Sequence, residues 1–493
     1  MAHRPSPAAS TALFSDFYEL TMAYAYWQHG RHMTPAVFHH SFRQRPFQGG
    51  YALAGGLGEL IEWLDGLRFT ERDVAYLASL TDIGGKPMFA EAFLDFLLAS
   101  RFECSVDAIP EGTLVFAHEP LARVTGPIWQ AQYLESAVLN FLNAGTLFTT
   151  KAARICHSAD DQPVLEFGMR RAQFMGAALS GARACYIGGS AGTSCMLAGQ
   201  RYGIPLKGTH AHSWVMFWED ELEAFKRYAE ALPSNCLFLV DTYDTLDGVR
   251  NAIQVGRWLR SRGHDLLGIR LDSGDLAYFS IEARRLLDEA GFPEAVVTAS
   301  SDLDEYLIQS LKTQDARIVV WGVGTKLITC YDQPALGGVY KLGAVQEDGR
   351  WHHRIKLSEQ SIKVSIPGIL QVRRFQNARG EYVGDMIYDL ERPAPDPWII
   401  DPADPIRRKY LGASHACEDL LIPIYRAGQR VYEVPSLETS RERVRRELSR
   451  LHPSYKRLQN PHLYPAGIER ELYAYRQSLI AQVKDLGPDL AED

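Results

Sequence analysis

The sequence predicts an α/β fold: an irregular α/β barrel joined to an additional α+β N-terminal domain and a helical C-terminal tail. Three observations predict it. From about residue 160 onward, short apolar runs end in small, polar or acidic residues and are followed by amphipathic stretches long enough for helices. The runs are apolar along their whole length, as strands of a parallel sheet buried on both faces are. Seven such units recur about every 20 to 35 residues, which suits a closed barrel better than an open sheet.

The elements follow in order. Residues 1–144 read as the N-terminal α+β domain: a helical "SDFYELTMAYAYWQHG", an alternating "AVFHHSFRQRPF", a Gly-rich "GGYALAGGLGEL" and two amphipathic helices around 71–100. Residues 145–345 read as the barrel, with strands at "PVLEFG", "ACYIGG", "IPLKG", "LFLVDT", "LLGIRLD", "AVVTASSD" and "RIVVWGVG". Helical intervals such as "EDELEAFKRYAEAL" and "LDGVRNAIQVGRWLRSRG" separate several of them. Residues 346–493 read as a C-terminal segment packing on the rest. It holds a Pro-rich linker at 391–405 and, from about 436, the charged helical "SLETSRERVRRELSRLHPSYKRL".

A chain of 493 residues excludes a single small module. Its formal charge of -8 offers no basic surface for a nucleic-acid backbone, so no nucleic-acid partner is expected. The N-terminus lacks the apolar core of a signal peptide, and no run reaches the roughly 18 apolar residues of a membrane helix. A cytoplasmic protein with no membrane partner is the expectation. Seven scattered cysteines (Cys104, Cys156, Cys185, Cys195, Cys236, Cys330 and Cys417) form no C-x-x-C pair and read as reduced thiols.

Barrel enzymes carry their reacting groups on the loops after the strands. The polar residues at those ends are Glu166, Phe167 and Arg170; "GGSAGTS" at 188–194; Lys207, Thr209, His210 and His212; Asp241, Thr242 and Asp244; Arg270, Asp272, Ser273 and Asp275; Ser300, Ser301 and Asp302; and Gly322, Gly324, Thr325 and Lys326. "WGVGTKL" could cradle a phosphate on its backbone N–H groups, or be only a turn. "IRLDSGDL" puts Arg270 and Asp272 on one side of a strand, suited to a ribose diol or a metal-phosphate, or to an ion pair closing the barrel. His210 and His212 lack a third metal ligand at recognisable spacing, which leaves catalysis or packing for each.

Taken together, "FSDFYELTM", "EFGMRRAQ", "GTSCMLAGQ", "GTHAHSW", "VDTYDT", "GIRLDSGDL", "ASSDLDE", "GVGTKLIT" and "LGGVYKL" resemble the nicotinate phosphoribosyltransferase family, within the type II phosphoribosyltransferases. The resemblance covers most of the chain and implies the barrel of that kind. It implies transfer of a phosphoribosyl group from 5-phosphoribosyl 1-diphosphate to nicotinate, with ATP as co-substrate, Mg2+ as cofactor and a homodimer with active sites at the interface. In "AHS" it implies a histidine phosphorylated by ATP, here His212, with Asp272 or Glu166 orienting the ring and Arg270 holding the pyridine end or the phosphates.

The resemblance further implies that Phe167 stacks on the pyridine and that Tyr18 covers its other face from the neighbouring subunit. Asp16, Thr209 and Ser213 would touch substrate, and Arg170, Ser301, Gly322, Gly324 and Thr325 would hold phosphates. Thr193, Ser194 and Cys195 offer no acid where nicotinamide-using relatives carry one. A carboxylate there would repel nicotinate's own, so its absence favours the acid over the amide. With only Cys417 in the tail, no zinc site is expected there. The other readings are a nicotinamide enzyme and, from a different class, a phosphate-binding barrel lyase or metabolite-binding protein.

Overall fold

A computed structural model describes residues 11–360, 363–392 and 396–485. The first ten residues, and 393–395 of the Pro-rich linker, lie outside the described residues. Contacts group the chain into two units: Met1–Leu147, Ala335–Ser436 and Arg443–Asp493 in the first, and Phe148–Pro334 with Leu437–Glu442 in the second.

The first unit begins with α1 (Phe17–Gln28), β1 (Pro35–Phe42), β2 (Ala52–Leu53), α2 (Leu57–Asp65), α3 (Glu71–Ala78) and α4 (Glu91–Ala99). It continues through β3 (Ser105–Ala108), β4 (Leu114–Val115), β5 (Ala122–Pro127), α5 (Ile128–Tyr133) and α6 (Glu135–Ser158), whose first part it contains. The "AVFHHSF" strand does not alternate between core and solvent. Both His39 and His40 are buried, because each imidazole is paired inside: Leu370 N–H donates to His39 Nε2 at 3.1 Å, and His40 Nε2 lies 2.9 Å from Asn143 Oδ1.

The second unit carries β6 (Val164–Glu166), α7 (Phe174–Gly188), β7 (Gly192–Thr193), α8 (Met196–Tyr202), α9 (His212–Phe217), α10 (Glu221–Ala231) and β8 (Leu237–Leu239). After these come α11 (Thr245–Arg260), β9 (Gly268–Leu271), α12 (Leu276–Glu289), β10 (Val296–Ser300), α13 (Glu305–Thr313), β11 (Val320–Val323) and α14 (Thr325–Ile328). The six strands form one wholly parallel sheet in the order β7-β6-β11-β10-β9-β8. Leu206 adds a parallel bridge to Thr193, outside β7. β11, last in sequence, pairs with β6, first in sequence, as neighbours in a barrel do, and among the described residues no strand pairing joins the 204–207 stretch to β8.

Several expectations differ. "IPLKG" forms only the single bridge at Leu206 and not a strand. "ACYIGG" is the end of α7 and not a strand, because the small residues of this helix let it pack closely: a side chain at Gly181 would meet Ile328 and Phe148. Gly189, at φ 126°, then ends the helix in a conformation open to glycine. Asp244 and Asp275, read as rim acids, are helix caps, each accepting from a backbone N–H three residues on, at Asp247 (2.9 Å) and Tyr278 (3.1 Å).

Beyond the barrel the chain returns to the first unit with β12 (Gly338–Glu347), β13 (Arg350–His353), β14 (Leu370–Gln376), β15 (Tyr382–Asp389), β16 (Trp398–Ile400), β17 (Arg408–Tyr410), β18 (Ala416–Asp419), β19 (Ile422–Arg426) and β20 (Gln429–Arg430). The last elements are α15 (Leu437–Arg450), α16 (Pro453–Lys456), β21 (Ala466–Glu469) and α17 (Arg470–Asp485). Residues after 335 do not stand apart, since they complete a sheet begun by the N-terminal strands, in the order β13-β12-β1-β5-β3-β19-β20. A second sheet, β17-β16-β21-β15-β14-β18, lies wholly in this C-terminal part, so the tail holds strands as well as the expected helices.

Candidate functional site

The ends of the barrel strands gather the predicted site residues of the second unit. His212 opens α9, its side chain 39% exposed, with Nδ1 3.1 Å from Thr242 Oγ1 and Nε2 3.9 Å from Asp272 Oδ2. Thr242 had been legible as a rim residue, but not as the partner of this ring. Asp272 is itself held: Ser300 Oγ donates to its Oδ1, and its backbone N–H donates to Asp241 Oδ2 at 2.9 Å. Ser273 Oγ donates to the same Asp241 oxygen at 2.6 Å, while Asp241 Oδ1 is buried with no partner among the described residues.

Glu166 does not orient His212. It is buried behind the loops and accepts from Thr193 Oγ1 and from Gly168 N–H, both at 2.5 Å. Burial raises its pKa, and those two hydrogen bonds oppose the rise. Thr193 Oγ1 in turn accepts from Cys195 N–H at 3.0 Å. Glu166 therefore ties the turn after β6 to the turn after β7. Cys195 packs with Leu179, Ala182 and Ala198, which leaves half-buried Ser194 as the residue of this trio whose side chain is tied to neither that cluster nor Glu166.

Phe167 extends the β6–β11 ladder through its N–H to Val323 O at 2.8 Å. Its ring rests on Gly322, where a Cβ would come within 2.8 Å of it, so glycine at 322 is what lets an aromatic face lie beside the 322–325 turn. Gly324 and Thr325 complete that turn at the start of α14. Lys326, next along, is bound to Asp304 at 2.6 Å. Ser301 and Asp302, after β10, have φ of 131° and 38°, a strained backbone for non-glycine residues at a strand end.

Arg270 is largely buried, and its guanidinium donates to His210 O at 2.9 Å. Burial lowers its pKa, Asp272 and Asp241 work against that, and Arg170 adds to it, so two guanidiniums feel one another here. Thr209 is half-buried and Ser213 exposed, on either side of His212.

Tyr18 and Asp16 belong to the other unit. Tyr18 is 46% exposed on α1, and its pKa is raised by burial and by Glu135, Glu19 and Asp16. Asp16 accepts from Ser136 Oγ at 2.7 Å. Beside them lies a residue that the motifs did not mark: buried Glu19, which accepts from Ser136 N–H at 2.9 Å and whose pKa is pushed up by burial to about 7.

A parallel barrel whose rim presents a hydroxyl-held histidine, two arginines, an aromatic face and a glycine turn defines an enzyme that handles phosphorylated ligands. Comparison with known proteins narrows the class. Models of the N-terminal and C-terminal domains of nicotinate phosphoribosyltransferase match residues 13–143 and 370–476. The nicotinate phosphoribosyltransferase of Bacillus subtilis is 44% identical over 484 residues, 96% of each chain. The human one is 32% identical over 536 residues, 96% of this chain and 97% of its own. The crystal structure of human nicotinic acid phosphoribosyltransferase aligns with a TM-score of 0.82 at 30% identity, covering 94% of this chain and 99% of that one. The chain belongs to the nicotinate phosphoribosyltransferase family.

Proposed function

We propose that this chain joins nicotinate to 5-phosphoribosyl 1-diphosphate, forming nicotinate mononucleotide and pyrophosphate with coupled ATP hydrolysis, in NAD biosynthesis. The observation that carries the reading is the setting of His212, half-exposed on the rim between Thr242 Oγ1 at 3.1 Å and Asp272 Oδ2 at 3.9 Å. An imidazole held this way can present a ring nitrogen as a nucleophile. A ring nitrogen attacks the γ-phosphorus of ATP, and the bond to the bridging oxygen breaks, so that ADP leaves with the electron pair. Water later cleaves the N–P bond, returning the imidazole and releasing phosphate.

In the ribosyl step, the bond from C1 of the ribose to pyrophosphate breaks and the pyridine nitrogen forms the new one. Phe167 supports the flat ring from the Gly322 side, and Arg270 and Arg170 supply positive charge for the carboxylate and phosphates. The 322–325 turn offers backbone donors to the 5-phosphate. Magnesium fits the donors present: Asp241 Oδ1 is buried and unpartnered, Asp272 lies beside it, and no cluster of three ligating side chains occurs among the described residues. That ion typically takes one or two carboxylates and completes its shell with substrate phosphates and water. When bound it would neutralise charge on the leaving pyrophosphate.

The homodimer belongs to the same proposal. Phe174 is 83% exposed, and Met175 and Met196 are also exposed on the second unit, apolar side chains that a second copy would cover. If Tyr18 completes the partner's site, inactive Tyr18→Ala and His212→Ala proteins should recover activity on mixing, and no recovery despite verified subunit exchange would refute the shared site. Among the described residues no helix is long and apolar enough to cross a membrane, and a cytoplasmic location is proposed.

The direct test is product analysis with nicotinate or nicotinamide, with and without ATP. Nicotinate should give its mononucleotide and pyrophosphate, faster with ATP, and nicotinamide should react poorly. Preference for nicotinamide, or no product from either, would overturn the reading.

A further inference from the structure

His210 has no part in the chemistry above, yet it stands where the ring of strands is interrupted. Among the described residues the 204–207 stretch makes strand pairing with β7 alone, through Thr193 N–H to Pro205 O at 3.0 Å and Lys207 N–H to Thr193 O at 2.9 Å. On the other side of the seam, β8 gives its ladder to β9, with Val240 N–H bonded to Arg270 O at 3.2 Å. The N–H of Leu239 points the other way, into the seam. It donates to His210 Nε2 at 3.2 Å.

A backbone N–H can only donate, so Nε2 is the acceptor and the ring proton sits on Nδ1. The imidazole is buried among Phe225, Tyr228 and Phe238, with ring centroids 5.8, 5.1 and 6.1 Å away. Its own carbonyl accepts from the Arg270 guanidinium at 2.9 Å, and His212 follows two residues on.

We propose that His210 is the clasp of the barrel: its imidazole replaces the missing strand pairing between the 204–207 stretch and β8, which makes it a positioning residue for Arg270 and His212. A side chain does the work of a ladder because the chain between 207 and 212 must leave strand geometry to bring Thr209 and His212 to the rim. One acceptor at the right height fixes that departure. Without it, a buried N–H on β8 loses its partner, and the carbonyl that seats Arg270 moves with the loop.

His210→Gln and His210→Met separate the clasp from mere bulk, since the two side chains are close in length and only glutamine places an acceptor near the Nε2 position. Deuterium exchange of the 237–241 peptide reads the seam itself, and steady-state kinetics read the positioning. Only the kinetic arm rests on the function proposed above. His210→Met should exchange faster at 237–241 and raise the KM for nicotinate about tenfold while kcat falls less, and His210→Gln should stay within about threefold of the parent in both. Equal exchange in the two variants, or a methionine variant with unchanged KM, would overturn the proposal. Should the parent protein itself make no nicotinate mononucleotide, the exchange result still decides the clasp.

Discussion

His212 is placed by a hydroxyl as well as by an acid. Thr242 Oγ1 fixes Nδ1 at 3.1 Å, and Asp272 Oδ2 stands 3.9 Å from Nε2. Thr242→Val keeps the shape and removes the hydrogen bond, so the rate of phosphoenzyme formation from ATP should fall about tenfold with little change in the KM for nicotinate. An unchanged rate in rapid-quench measurements would show that the hydroxyl does not position the ring. Substrate choice is the second matter at this scale. Ser194→Asp adds a carboxylate to a partly shielded wall, and like-charge repulsion worth about 1 to 3 kcal/mol should cut the preference for nicotinate over nicotinamide by roughly 5- to 150-fold. Equal use of nicotinate by this variant and the parent would move discrimination away from this wall. The positions of individual residues at the strand ends were legible where a motif marks them, as with His212 and Phe167. Thr242 as partner was not, because 30 residues separate it from His212 and only the ring of strands brings the two loops together.

The apolar runs announce most barrel strands because a strand buried on both faces has no polar alternative. The same local signature misleads in two places. An acid after a strand is equally an N-cap, and Asp244 and Asp275 spend their carboxylates on the first turns of α11 and α12. An apolar run rich in alanine and glycine is equally a tightly packed helix, as α7 is. Close packing also sets how α11 meets the sheet, since a side chain at Gly248 would collide with the Val240 carbonyl at the end of β8. Gly248→Ala should therefore destabilise the protein by about 3 kcal/mol, measured by denaturant unfolding. An undiminished midpoint would mean that α11 can shift freely, contrary to the packing described.

Across the whole molecule, the sequence showed the barrel and the motifs but not the sheet that unites residues 35–127 with residues 338–430. β1 pairs with β12 some 300 residues later, and nothing local in either strand names the other. Two buried histidines of β1 also have partners distant in sequence. His39 accepts from Leu370 at the head of β14, in the second sheet, and burial, with Arg123 nearby, holds its pKa near 3, against an ordinary 6.5. The sign is fixed: below pH 6.5 the unfolded chain takes up a proton that the folded chain refuses, so stability is full above that value and is lost as the pH falls. Buried His40 adds to this loss, and Glu19, with its pKa raised to about 7, partly opposes it. Between pH 7 and about 5, the parent should lose about 2 kcal/mol more than His39→Gln, whose amide oxygen can still accept from Leu370. Equal pH slopes would mean that His39 does not couple the fold to acid.

The measurement that bears most directly on the function is the fate of the γ-phosphoryl group of ATP. Incubation with labelled ATP, isolation of the protein and peptide mapping should place an acid-labile phosphoryl group on the peptide containing His212 and not on one altered by His212→Ala. Adding nicotinate and 5-phosphoribosyl 1-diphosphate to the isolated phosphoprotein should release phosphate together with nicotinate mononucleotide. Label on another residue, or a phosphoryl group that these substrates do not discharge, would contradict a phosphohistidine at His212 coupled to phosphoribosyl transfer.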